Sequence, residues 1–126
     1  MKKRIMVVDD EEHTCEILKR SLEKAGYEVL TFGKGKEALK RVEKGGVDLV
    51  LLDMRLKDIN GLEVLEEIKK RISPRTVVIM ITGYASLGTM KKATALGAYD
   101  YVIKPLDLDF VKELVEGALQ EQEASG

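Results

Sequence analysis

The chain is short of cysteine, histidine, surplus charge and long apolar runs, and each shortage excludes something. One cysteine in 126 residues, Cys15, rules out an intramolecular disulfide and suits a reducing compartment. One histidine, His13, leaves no basis for a metal centre built from imidazoles and thiolates. Twenty-one basic and 22 acidic residues give a net charge of −1, so no basic field exists to hold nucleic acid, and direct DNA binding is not expected. The start, Met-Lys-Lys-Arg-Ile-Met-Val-Val, has the charge of a signal peptide, but its apolar run ends after four residues at Asp9-Asp10. A signal sequence needs roughly 7–15 apolar residues and a membrane span about 20. A soluble, cytoplasmic chain with no membrane partner is expected.

What is present is a core. A hydrophobic content of 44% beside 34% charged residues argues against disorder, and the length suits one domain. The stretch Val47–Asp53, Val-Asp-Leu-Val-Leu-Leu-Asp, lacks the polar–apolar alternation of a half-exposed strand. It suits a strand covered on both faces, inside a parallel sheet. Four further strands are expected at Ile5–Val8, Val29–Phe32, Val77–Ile81 and Tyr99–Ile103, the first and third of them also continuously apolar. Amphipathic helices follow them at Glu11–Ala25, Lys36–Lys44, from Gly61 to about Arg71, near Ser86–Leu96, and from the N-cap Asp107 onward. The polar end Gln120–Gly126 is expected to fray.

Five strand–helix repeats joined by short links imply right-handed crossovers and a parallel sheet between two helical layers. Five strands are too few for a closed eight-fold barrel. The expected class is therefore α/β, a (βα)5 flavodoxin-like three-layer sandwich of strand order 2-1-3-4-5. In that order the first and third strands are neighbours, and Asp9, Asp10 and Asp53 crowd together.

Four of the five strand ends are polar: Asp9-Asp10, Asp53, Thr82 and Lys104. In open α/β sheets the ligand crevice lies at these carboxyl ends. Three crowded carboxylates repel and raise one another's pKa unless something neutralises them. Lys104 offers one positive charge. A hard divalent cation offers two, and an all-oxygen donor set points to Mg²⁺ rather than Zn²⁺, with Mn²⁺ as an equivalent. The remaining carboxylate could then act as a nucleophile toward phosphorus, with Thr82 and Lys104 holding phosphoryl oxygens.

The motifs Val7-Val8-Asp9-Asp10-Glu11, Leu51-Leu52-Asp53-Met54-Arg55-Leu56, Asp58-Ile59-Asn60-Gly61, Ile81-Thr82-Gly83-Tyr84 and Gly97-Ala98-Tyr99-Asp100-Tyr101 before Lys104-Pro105 occur in that order. With them the chain resembles the receiver domain of two-component response regulators, CheY-like in fold. The likeness is nearest to receivers that precede σ54-type transcriptional activators (NtrC-type). It implies a receiver domain over residues 1–122 and a flexible tail over 123–126. Asp53 would be the phosphoacceptor, charged by a phosphohistidine of a sensor histidine kinase or phosphotransfer protein. Asp10, Asp53 and the main-chain carbonyl of Arg55 would ligate the metal, with Asp9 acting mainly through water. Thr82 and Tyr101 would form the switch, and Arg55 and Tyr84 would tune access of the hydrolytic water. The Lys104-Pro105 peptide would be cis. Phosphorylation would change the conformation of the face made by the fourth strand, fourth helix, fifth strand and fifth helix, and the last three of these elements would dimerise or contact an output domain. Lys57, where many relatives carry proline, and Leu106, where many carry phenylalanine, depart from the pattern.

Plainer readings stand beside these. His13 suits an exposed first-turn position near a docking face for the kinase, and Cys15 a passive small side chain. Tyr99 and Tyr101 could both be strand packing. Gly61 and Gly83 need no role beyond backbone freedom. Two other functions compete with a switch that turns over no external substrate. A phosphatase of the haloacid-dehalogenase kind would carry Asp-x-Asp after the first strand and a lid insertion, and neither is found. A flavodoxin-like cofactor binder would meet the acidic Asp9-Asp10-Glu11-Glu12, which repels a flavin phosphate.

Overall fold

Three of the apolar runs become strands buried on both faces, and the second and fifth strands form the partly exposed edges of the sheet. In the computed structural model, which describes residues 2–125, five strands pair in parallel in the order β2-β1-β3-β4-β5. They are β1 (Arg4–Val8), β2 (Glu28–Phe32), β3 (Leu49–Asp53), β4 (Val77–Thr82) and β5 (Asp100–Ile103). The helices are α1 (Glu12–Lys24), α2 (Gly35–Glu43), α3 (Gly61–Glu67), α4 (Leu87–Ala95) and α5 (Leu108–Ser125). Alternate residues of each strand face opposite layers. Ile5, Val7, Leu49, Leu51, Ile79 and Ile81 pack with Leu18 and Leu22 of α1 and Val111, Val115 and Leu119 of α5. Met6, Val8, Val50, Leu52, Val78 and Met80 pack with Ala38 and Val42 of α2, Val64 and Leu65 of α3, and Ala93 of α4.

Several boundaries differ from the sequence reading. β3 begins at Leu49 rather than Val47, because the Asp48 carboxylate accepts the Arg4 N–H at 2.7 Å and fixes the strand's approach. Helix α3 leaves α-geometry at Ile68, and a π-helical turn (Ile68–Ile72) closes with Ser73 N–H donating to Ile68 C=O at 2.8 Å. At its end Lys69 Nζ donates to the carbonyls of Pro74 and Thr76, at 2.6 and 2.9 Å. The largest correction concerns the C-terminal end. Fraying from Gln120 was expected, yet α5 stays helical to Ser125. Ala118 and Leu119 are buried, and the Gln122 amide donates to the carbonyls of Asp48 and Arg75, at 3.2 and 2.8 Å. Glu123 pairs with Lys3 at 3.2 Å. The tail expected over 123–126 is thus helical as far as Ser125; its last residue, Gly126, like Met1, lies outside the described residues. Asp107 caps α5 as expected, its Oδ1 accepting the N–H groups of Asp109 and Phe110 at 3.1 and 3.2 Å.

No described helix is long and apolar enough to cross a membrane.

Candidate phosphoryl and cation site

Strand pairing assembles the site. β1 and β3 run side by side in a register that pairs Val8 with Leu52, so the next residues, Asp9 and Asp53, emerge together at the sheet's carboxyl edge. Asp9 is 1% exposed and Asp53 5%, while Asp10 is half-buried. One carboxylate oxygen from each of Asp9, Asp10 and Asp53 lies within 4.8 Å of the others. Lys104 follows β5, its N–H bonded to Thr82 C=O at 2.8 Å, and the Lys104-Pro105 peptide is cis. Its Nζ lies 2.9 Å from Asp9 Oδ2, 2.7 Å from Glu11 Oε1 and 3.7 Å from Asp53 Oδ2. Asp53 Oδ1 accepts the Arg55 N–H at 3.2 Å.

Three carboxylates thus share the Lys104 ammonium, with Asp10 beside them. Burial, followed by the charge of Asp9, pushes the Asp53 carboxyl up to about 6 from an ordinary 3.8, against the Arg55 N–H and Lys104. Burial alone would lower the Lys104 pKa, but its bonds to Glu11 and Asp9 and the Asp53 charge raise it instead. The hydrogen bond from Lys104 holds Glu11 below the usual carboxylate range. Asp9 Oδ2 is fully buried without a well-formed hydrogen bond, and its close polar neighbour is the Lys104 ammonium. A buried carboxylate oxygen whose ammonium partner is shared with Glu11 and Asp53, within an all-oxygen cluster, fits a hard divalent cation. The fit rests on these donors.

The other predicted residues divide into two groups. Arg55 and Tyr84 meet over Asp53, the guanidinium carbon 5.2 Å from the tyrosine ring centroid, a cation–π contact. With Asp10, Glu11, Gly83 and Lys104 they line an open cleft of about 280 Å³ above Asp53. Thr82 is buried beside this cleft, and its hydroxyl donates to Tyr84 C=O at 2.7 Å and accepts Tyr84 N–H at 3.0 Å. Tyr101 stands apart. It is half-buried on β5 against the second core layer and borders an apolar groove with Leu87, Met90 and Thr94. His13 is exposed. Cys15 is half-buried with its Sγ 3.3 Å from Asp9 C=O, and burial pushes its thiol pKa up, away from reactivity. Of the two departures, Lys57 is exposed and Leu106 packs against the first core layer.

Two residues carry more than the sequence suggested. Glu11 supplies the shortest contact to Lys104, at 2.7 Å. Its signal was the length of the acidic run, which continues past Asp10. Gly61, read as bland, has no room for a side chain, since a Cβ there would sit 2.3 Å from the Asp53 carbonyl oxygen and 2.8 Å from Met54 Cα. A glycine in the first turn of a helix weakens it, which hinted at a packing reason.

Comparison with known proteins gives a family and structural relatives. The family model "Response regulator receiver domain" matches residues 5–116. The transcriptional regulatory protein ZraR of Escherichia coli (strain K12) is 41% identical over 115 residues, covering 91% of this chain and 26% of ZraR. The chain thus spans about a quarter of the length of that curated relative. Among solved structures, a CheY-like response regulator receiver domain protein from Methanospirillum hungatei JF-1 superposes with a TM-score of 0.96 at 36% identity, covering all of both chains. NtrX from Brucella abortus gives 0.90 at 33% identity, over 99% of this chain and 28% of that one.

Proposed function

The chain belongs to the response regulator receiver domain family, and from that membership we propose that it works as a phosphorylation-dependent signalling switch with Asp53 as phosphoacceptor. The observation that carries the proposal is the buried Asp9–Asp53 pair, with Asp10 beside it and Lys104 as the one ammonium among them. The donor is a phosphohistidine on a sensor histidine kinase or phosphotransfer protein. An Asp53 carboxylate oxygen attacks phosphorus, the P–N bond breaks, and the imidazole leaves with the bonding pair. Oδ2 suits the attack, since Oδ1 is held by the Arg55 N–H. Positioning and cations do most of the work in such transfers.

Asp10, Asp53 and the Arg55 carbonyl would hold Mg²⁺ or Mn²⁺, with Asp9 acting through water. When bound, the ion supplies positive charge against the phosphoryl oxygens and the crowded carboxylates. Lys104 steadies one phosphoryl oxygen. Thr82 gives up its Tyr84 backbone partners to hold another, and Tyr101 repacks as Thr82 moves. Arg55 and Tyr84, stacked over the cleft, set water access and thereby phosphoryl lifetime. The reading makes the chain a switch rather than an enzyme with an external substrate.

Output is proposed to leave through α4, β5 and α5, where Leu87, Ile103 and Phe110 are exposed at 68, 51 and 48%. Either a second copy or an output domain would cover that face. The similarity to ZraR and NtrX supports an output of the transcriptional-activator kind, in line with the σ54-type resemblance. Incubation with acetyl phosphate and Mg²⁺, followed by gel filtration, tests the switch. A shift to dimer that follows phosphorylation supports it; labelling with no change in size or in Tyr101 fluorescence counts against the conformational half of the proposal.

A further inference from the structure

Helix α2 lacks a cap of its own. Lys34 occupies its N-cap and supplies no side-chain acceptor. The N–H groups of Gly35 and Lys36 are instead taken by Asp58, whose Oδ1 and Oδ2 accept one each at 3.0 Å from 23 and 22 residues away. Burial would raise the Asp58 carboxyl, but these donors hold it below its ordinary value, so it is ionised at neutral pH. The contact around it is close. A Cβ on Gly35 would sit 2.4 Å from Ile59, 2.9 Å from Val64 and 3.1 Å from Leu56, so the β3–α3 loop lies directly on the backbone of α2.

That loop runs from Asp53 to α3, and its base and tip are fixed differently. The base is held by backbone: Gly61 N–H donates to Met54 C=O at 3.0 Å, and Arg55 bridges to Asn60. The Asn60 side chain accepts Leu62 N–H at 2.8 Å, capping α3. The tip, Leu56 to Ile59, meets α2 through side chains, and Asp58 makes the polar part of that contact. Arg55 stands where base and tip meet, with its N–H on Asp53 Oδ1.

We infer that Asp58 is a positioning residue for the phosphoacceptor site: by tying the loop tip to the N-terminus of α2, it sets the Arg55 peptide against Asp53. The inference rests on the phosphoacceptor reading above. A cap serving only α2 could be supplied by a short polar residue at position 34; a carboxylate delivered from the loop constrains the loop as well. Outer groups that orient ligands typically change metal affinity by about 10–100-fold when removed.

The test separates capping from positioning. Asp58→Ala removes both, and Lys34→Asp in the same chain returns a local cap to α2. The double variant is expected to recover the parent's melting temperature without cation. It should still need about tenfold more Mg²⁺ for half-maximal stabilisation, and label with acetyl phosphate about tenfold more slowly at sub-saturating Mg²⁺. Its Arg55 amide should exchange hydrogen about tenfold faster than in the parent. Asp58→Asn, which keeps one acceptor oxygen, should fall between. A double variant matching the parent in Mg²⁺ requirement and Arg55 exchange would overturn the inference and leave Asp58 as a helix cap. A parent that takes no phosphoryl group would overturn the phosphoacceptor reading instead, while Arg55 exchange would still decide the positioning.

Discussion

Replacing Asp53 by asparagine should make the cation-free protein more stable, although it removes the reactive group. The structure gives the size of the effect. Burial and the Asp9 charge raise the Asp53 carboxyl from 3.8 to about 6. A carboxyl raised on folding favours the folded state while protonated. Its contribution is complete below pH 3.8 and is lost as pH rises through about 6. At pH 7.5 the ionised group therefore costs about 2–3 kcal/mol, taking ~1.4 kcal/mol per pKa unit. Asparagine keeps the shape without the charge, and Lys104 retains Asp9 and Glu11 as partners. With an unfolding entropy of about 2 cal/mol/K per residue, the gain corresponds to roughly 8–12 °C in melting temperature. Calorimetric scans in EDTA at pH 7.5 and pH 4 would measure it. The variant should melt well above the parent at pH 7.5 and close to it at pH 4. Millimolar Mg²⁺ should then raise the parent and leave the variant nearly unmoved. Equal stabilities at pH 7.5 in EDTA, or a less stable variant, would refute the claim that Asp53 is electrostatically strained.

Other perturbations probe the neighbours. Lys104→Ala strands the buried Asp9 carboxylate and should cost about 3 kcal/mol in urea denaturation, with much of the loss restored by Mg²⁺; a loss under 1 kcal/mol would show that Asp9 does not depend on it. Gly61→Ala drives a methyl into the Asp53 carbonyl and should destabilise by about 1–3 kcal/mol while slowing acetyl-phosphate labelling; unchanged labelling would mean that the loop base moves freely. Ile103→Asp, on the exposed end of β5, should leave labelling intact and abolish phosphorylation-driven dimerisation on gel filtration. A dimer persisting in that variant would move the interface to another face.

The fold was legible because each buried strand carries an unbroken apolar run and each helix a one-sided stripe. The strand order alone places Asp9 beside Asp53. Relations set by tertiary contact were not legible. Nothing local distinguishes Asp58 from an ordinary loop acid, because its partners Gly35 and Lys36 lie on another element. Gly61 looked like a flexible helix start, because the carbonyl that forbids a side chain there belongs to the neighbouring strand end. Gln120–Ser125 is polar enough to suggest fraying, yet Gln122 finds backbone carbonyls across the sheet's lower edge. The π-helical turn at Ile68 also went unseen, since its spacing differs from an α-helix by one residue in five.

The central claim is that Asp53 accepts a phosphoryl group in a cation-dependent reaction. Intact-mass measurement after incubation with acetyl phosphate tests it most directly, using the parent and Asp53→Asn with Mg²⁺ and the parent with EDTA. The account predicts one phosphoryl group on the parent with Mg²⁺ and none in the other two samples. A phosphoryl group retained by Asp53→Asn, or full labelling in EDTA, would contradict it.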